Sequence, residues 1–133
     1  MQNFIIILFS LFLFASTSKA QTTHYECSYL TSASLDENDN PELSSEEFKL
    51  SFLLDENANT AYIMGNAGTE KVLIIRNNGG ISFIGITDTG NVSITTIANN
   101  LKSVHSRNTI LPFPQEDPEL IPSQYYGGCV SKQ

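Results

Sequence analysis

The stretch SVHSRNTI, residues 103–110, sets a histidine between two serines and follows it with an arginine. On an extended strand side chains alternate. Ser103, His105, Arg107 and Thr109 therefore share one face, and Val104, Ser106, Asn108 and Ile110 the other. A histidine and an arginine two residues apart suit an anion such as a carboxylate. An imidazole beside a hydroxyl suits nucleophilic catalysis, but the spacing argues against it. Same-face neighbours lie roughly 6.6 Å apart at roughly 3.3 Å of rise per residue, whereas a hydroxyl–imidazole hydrogen bond needs about 3 Å. No G-x-S-x-G elbow is present. The expectation is a polar outer strand face with a cross-strand ion pair, and a small hydrolase using His105 is the catalytic alternative.

A second candidate is DENDNPELSSEE, in which Asp36, Asn38, Asn40, Ser44 and Glu47 fall at positions 1, 3, 5, 9 and 12 of a calcium loop. Position 6 holds Pro41 where the sharp turn needs glycine, and strands rather than helices flank the segment. It reads as an acidic, solvated loop. The third is SQYYGGC. Tyr125 and Tyr126 must point to opposite faces, one into the core and one outward as a possible aromatic contact for a partner. Gly127 and Gly128 let the backbone pass close to a neighbour or form a bulge. Asn91-Val92-Ser93 matches the glycosylation sequon, a short and common pattern.

The elements that would position these residues follow from compartment and patterning. Residues 1–20 read as a secretory signal peptide: an apolar run from Phe4 to Phe14, then small residues at Ser18 and Ala20. The run is shorter than a membrane span needs, and no cysteine stands near the cleavage point for a lipid anchor. Residues 21–133 then form one domain without a membrane span. Taking Lys19 from the seven bases leaves six against 14 acids, a net charge of −8. Such a body does not release counterions from a phosphate backbone, which argues against nucleic acid, and it suits a basic partner. No cofactor is implied.

Two cysteines in an exported chain imply one bridge, Cys27–Cys129. It requires the first and last strands to lie side by side. Two distant thiols and two scattered histidines lack the paired spacings of a zinc site.

Alternation and β-branched residues punctuated by Gly, Asn and Asp predict strands over 25–30, 48–54, 60–64, 71–76, 81–87, 91–97, 103–110 and 123–129. KVLIIR and GISFIGI are apolar on both faces, so a barrel, a folded-over sandwich or a dimer must cover each side. Residues 35–47 read as a connection with a short helical turn from Pro41. Residues 112–122, with four of the five prolines, read as an extended link to the last strand. The fold expected is an all-β antiparallel meander of about eight short strands, closed or nearly so, stapled end to end. Its interior should be filled by side chains.

VHSRNTI followed by PSQYYGGC, behind a leader and an early YEC, resembles a group of small exported bacterial proteins. That resemblance covers the last third of the chain and implies no particular activity. In outline, Tyr25-Glu26-Cys27 with Cys129 is similar to periplasmic C-type lysozyme inhibitors, small all-β exported domains. The S-G-x-x-Y loop of that family is absent, and the chain has no Trp, so no inhibitory contact residue carries over. These features together predict a non-catalytic domain of the bacterial periplasm or exterior, working by protein contact or as an envelope component. An inhibitor of a basic cell-wall hydrolase such as lysozyme is the alternative.

Overall fold

The computed structural model describes residues 21–66, 68–111 and 119–133. The expected leader, residues 1–20, and residues 112–118 of the proline-rich link lie outside the described residues. Nine strands follow in chain order: β1 (Thr22–Leu35), β2 (Pro41–Ser44), β3 (Phe48–Asp55), β4 (Thr60–Gly65), β5 (Gly68–Asn77), β6 (Gly80–Ile86), β7 (Val92–Ala98), β8 (Lys102–Leu111) and β9 (Glu119–Lys132). β1 and β3 to β9 close into an eight-stranded antiparallel barrel, with β9 returning to pair with β1. β2 pairs with the far end of β1, outside the closed ring.

Side-chain turns hold the meander in register. The Asp55 carboxylate accepts the N–H groups of Asn57 and Ala58, and Asn59 takes the left-handed conformation at φ 49°. The Asn77 side chain accepts the Gly79 N–H at 2.7 Å. Short polar side chains at these places bond the local backbone and tolerate the turn.

Closure covers one face of the two-faced strands and, against expectation, leaves the other open. Val72, Ile81 and Phe83 point inward and are almost wholly buried, while Leu73, Ile75 and Ile86 point outward. Tyr29, Phe52, Leu54, Phe83 and Ile97 fill the centre, with the Phe52 and Phe83 rings stacked 4.5 Å apart. Burying each such side chain is worth about 1.5–3 kcal/mol.

The seam between β1 and β9 closes the ring. Cys27 lies directly opposite Cys129 and is bonded to it. Beside the bridge the register shifts between Tyr29 and Thr31, a β-bulge that lets β1 bend. Gly127 faces this bend, where an added Cβ would come within 2.0 Å of the Ser28 carbonyl oxygen and 2.8 Å of the Tyr29 Cα. Only glycine fits there.

Two expectations need correction. Residues 41–44 form a strand rather than a helical turn, because the preceding turn reverses the chain onto β1. In that turn the Asp36 carboxylate accepts the Asn38 and Asn40 N–H groups at 2.8 Å, and Asp39 sits at φ 60°. The last strand begins at Glu119, so 119–122 belong to β9, and Pro122 pairs with Asn108. β1 and β9 each run 14 residues, longer than predicted, since each pairs with different neighbours over different stretches of its length.

Two variants test the seam by urea unfolding. Gly127→Ala is expected to cost about 3 kcal/mol, the upper range for forcing atoms into packed space. Gly128→Ala, whose Cβ meets only the Leu101 carbonyl oxygen at 3.2 Å, should cost less. Equal midpoints would show that the seam is not tight. Replacing both cysteines with alanine opens a loop with sequence separation 102. That change is expected to lower stability by up to about 4.7 kcal/mol, and an unchanged midpoint would remove the bridge from any role in stability.

Candidate functional site

Ser103 and His105 share a face, and it is the inner one: they are 4% and 3% exposed. The polar outer face expected for β8 is therefore corrected. The interior at this level already holds the Tyr29 phenol from β1 and the Thr95 hydroxyl from β7, and inward Ser103 and His105 supply their partners. The outward positions go to Lys102, Val104 and Ser106.

Four side chains make up the buried polar cluster. Ser103 Oγ donates to the Thr96 carbonyl at 3.0 Å, which commits its only proton. Tyr29 Oη, 2.9 Å from Ser103 Oγ, is then the donor in that pair. Thr95 Oγ1 and His105 Nδ1 are 2.7 Å apart. No hydrogen bond joins Ser103 to His105 among the described residues. The imidazole also packs between rings, 5.5 Å from Phe48 and 5.9 Å from Tyr125.

Burial lowers the His105 pKa to about 4, with the nearby Arg107 charge adding to the effect. Burial raises the Tyr29 phenol, while bonds from Ser103 and Thr95 hold part of that rise back. Near neutral pH the cluster thus contains a neutral imidazole, a protonated phenol and a serine whose proton faces a carbonyl. It satisfies buried polar groups. Its one hydroxyl–imidazole pair, Thr95 with His105, is shut off from solvent at 1% and 3% exposure.

Arg107 follows His105 out of the interior to the barrel rim and is exposed. Its Nη2 donates to the Tyr125 hydroxyl at 3.2 Å, and its guanidinium carbon stands 5.8 Å from that ring's centroid. Among the described residues it forms no salt bridge, so the expected ion pair is replaced by this contact with tyrosine. Tyr125 is half-buried against Phe48, with ring centroids 4.6 Å apart. Tyr126 faces out at 41% exposure, and its hydroxyl donates to Gln124.

The calcium-spaced residues are not gathered. Asp36, Asn38 and Asn40 sit in the turn between β1 and β2, with the Asp36 carboxylate occupied by the turn itself. Ser44 lies opposite Ser32 at the other end of β2, roughly 10 Å along the hairpin. Glu47, beyond it, pairs with Lys49 at 2.8 Å. Among the described residues no three His, Cys, Asp or Glu side chains are grouped to hold a metal. The sequon residue Asn91 is engaged through its side chain, whose Oδ1 accepts the Ile110 N–H at 2.8 Å.

At the opposite mouth a cup of about 330 Å³ has Ile81, Ile97 and Leu101 in its lining. Leu101 takes φ 65° and turns its side chain onto the core, which stoppers that end. Arg76 at the rim is neutralised by Glu56 at 2.7 Å. No family model matches this chain, and no curated protein or solved structure matches it either.

Sequence reasoning found His105 and Ser103 but missed their partners, Tyr29 and Thr95. The available signal was weak: the inward positions of SITTIA are Ser93, Thr95 and Ile97, and two hydroxyls in that column do not mark which is buried.

The imidazole gives a pH test. Its folded pKa, about 4, lies below the ordinary 6.5, so folding favours the neutral form. The associated stability is complete above pH 6.5 and is lost as pH falls toward 4. At 1.36 kcal/mol per unit the full loss is about 3 kcal/mol. Urea midpoints between pH 7.5 and 4.5 should fall more steeply for the native chain than for His105→Gln. Parallel profiles would show that His105 titrates freely.

Proposed function

We propose that the chain is an exported, non-catalytic domain of the bacterial periplasm or exterior that works by contact with another protein. One observation carries this reading. The interior is taken up by side chains, yet the outer wall over β5, β6 and β7 is also apolar. Leu73 lies beside Ile84 and Ile84 beside Ile94, with Ile75 and Ile86 next to them. Leu73, Ile75 and Ile86 are each more than half exposed. A soluble protein rarely leaves a contiguous apolar surface open without a use for it. A disulfide across the β1–β9 seam suits an oxidising compartment.

Inhibition of a basic cell-wall hydrolase such as lysozyme is the second reading, favoured by the net charge of −8 without the leader. A hydrolase using His105 has less support. The imidazole is buried against Phe48 and Tyr125, and its Nδ1 is bonded to Thr95.

Site-specific photocrosslinking in an envelope preparation of the source cells tests the contact reading. Probes beside Leu73 and Ile86 are expected to capture one discrete protein, and the exposed double change Leu73→Asp/Ile86→Asp should abolish capture while leaving the thermal midpoint unchanged. Failure to capture anything, or capture indifferent to the double change, would refute it. For the inhibitor reading, equimolar addition should suppress lysozyme lysis of cell walls and salt should relieve the suppression. Undiminished lysis would end that alternative.

A further inference from the structure

We propose that the free edge of β2 docks an extended basic strand from a partner protein, added to the sheet alongside Pro41–Ser44 with basic and apolar residues alternating along it. This is a second contact surface, distinct from the wall over β5–β7.

β2 opens the strand order, and among the described residues nothing pairs with its far side. All four of its residues are exposed, Leu43 to 76%. Alternate residues of this strand bond β1 and Pro41 has no N–H, so the open edge offers the Leu43 N–H and the Leu43 and Pro41 C=O groups to a strand lying beside it. The register sets what that strand must carry. Leu43 lies opposite Ala33 and Pro41 opposite Leu35, so one face of this hairpin is apolar. Glu42 lies opposite Ser34 and Ser44 opposite Ser32, so the other face is polar and bears a carboxylate. A strand added beside β2 places alternate side chains on these two faces. Apolar residues then fall next to Leu43 and basic ones next to Glu42.

Charge reinforces the choice. Residues 36–47 contain six carboxylates and no base. Among the described residues Glu47 alone of these meets a cation, Lys49. A second copy of the chain would bring the same carboxylates against each other, and like charges facing across strands are unfavourable. The edge therefore rejects its own kind and accepts a basic strand.

The probe is a short capped peptide alternating lysine and valine, titrated into the full disulfide-bonded chain and followed by amide hydrogen exchange. Slowed exchange is expected at Leu43 and not over β5–β7. Glu42→Lys should weaken binding by about tenfold or more, and a glutamate–valine peptide should not bind. The decisive control is the lysine–valine peptide N-methylated at alternate residues, which keeps charge and side chains but cannot pair. It should fail to bind. Equal binding by the methylated peptide, protection away from β2, or no binding by the parent peptide would each overturn the proposal. Leu73→Asp/Ile86→Asp should leave peptide binding intact, so the loss of one surface is distinguishable from the loss of the other.

Discussion

Everything in this fold depends on β9 finding β1. A meander of consecutive hairpins forms from local turns, but it remains an open sheet with two exposed edges until its ends meet. Here the ends meet over ten residue pairs, with Cys27 bonded to Cys129 and Gly127 pressed against Ser28 and Tyr29. The bulge between Tyr29 and Thr31 bends β1 at the same level. The bridge and the glycine thus do different work. One limits the freedom of the unfolded chain, and the other permits the close approach that the bridge requires. That is why a glycine stands at 127, two residues before the bridged Cys129.

Closure also creates the polar cluster. Bringing β1 beside β9 and β8 carries the Tyr29 hydroxyl to Ser103, two residues separated by 74 positions in the chain. A phenol buried so far from solvent needs a partner, and the serine answers it by handing its own proton to the Thr96 carbonyl. His105 is held in the same layer by Thr95 and by the rings of Phe48 and Tyr125. The residues that first suggested chemistry are those that let a small barrel keep polar atoms inside.

Much of the architecture was legible in sequence, for reasons visible at particular residues. Alternation in FKLSFLL and the turn residues at 55–59 and 77–80 are local signals, and the strands they announce are present. The cysteine pair indicated which ends join. Other features needed information that a single strand does not hold. Whether the 103-105-107 face looks inward depends on β7 and β1, so alternation could pair Ser103 with His105 but could not choose the side. β2 escaped because Pro41, Glu42 and Ser44 are poor strand formers. Its strand exists because the Asp36 turn lays it against β1. The partners Tyr29 and Thr95 are products of register, which no spacing rule along the chain predicts.

The two outer surfaces differ in the forces they can use, and the difference follows from topology. The wall over β5–β7 is part of the closed ring and turns Leu73, Ile75 and Ile86 outward, so a partner there meets chiefly side chains. Its apolar residues favour a surface of matching shape and little charge. β2 stands outside the ring and still has backbone groups to give, so a partner there can extend the sheet itself. Carboxylates crowd the hairpin around that open edge and are sparse on the closed wall. Acidity at an open edge keeps copies of the chain from pairing with one another. Under the docking proposed above, the same acidity attracts a strand of opposite sign, so that protection from aggregation and selection of a partner come from one set of side chains.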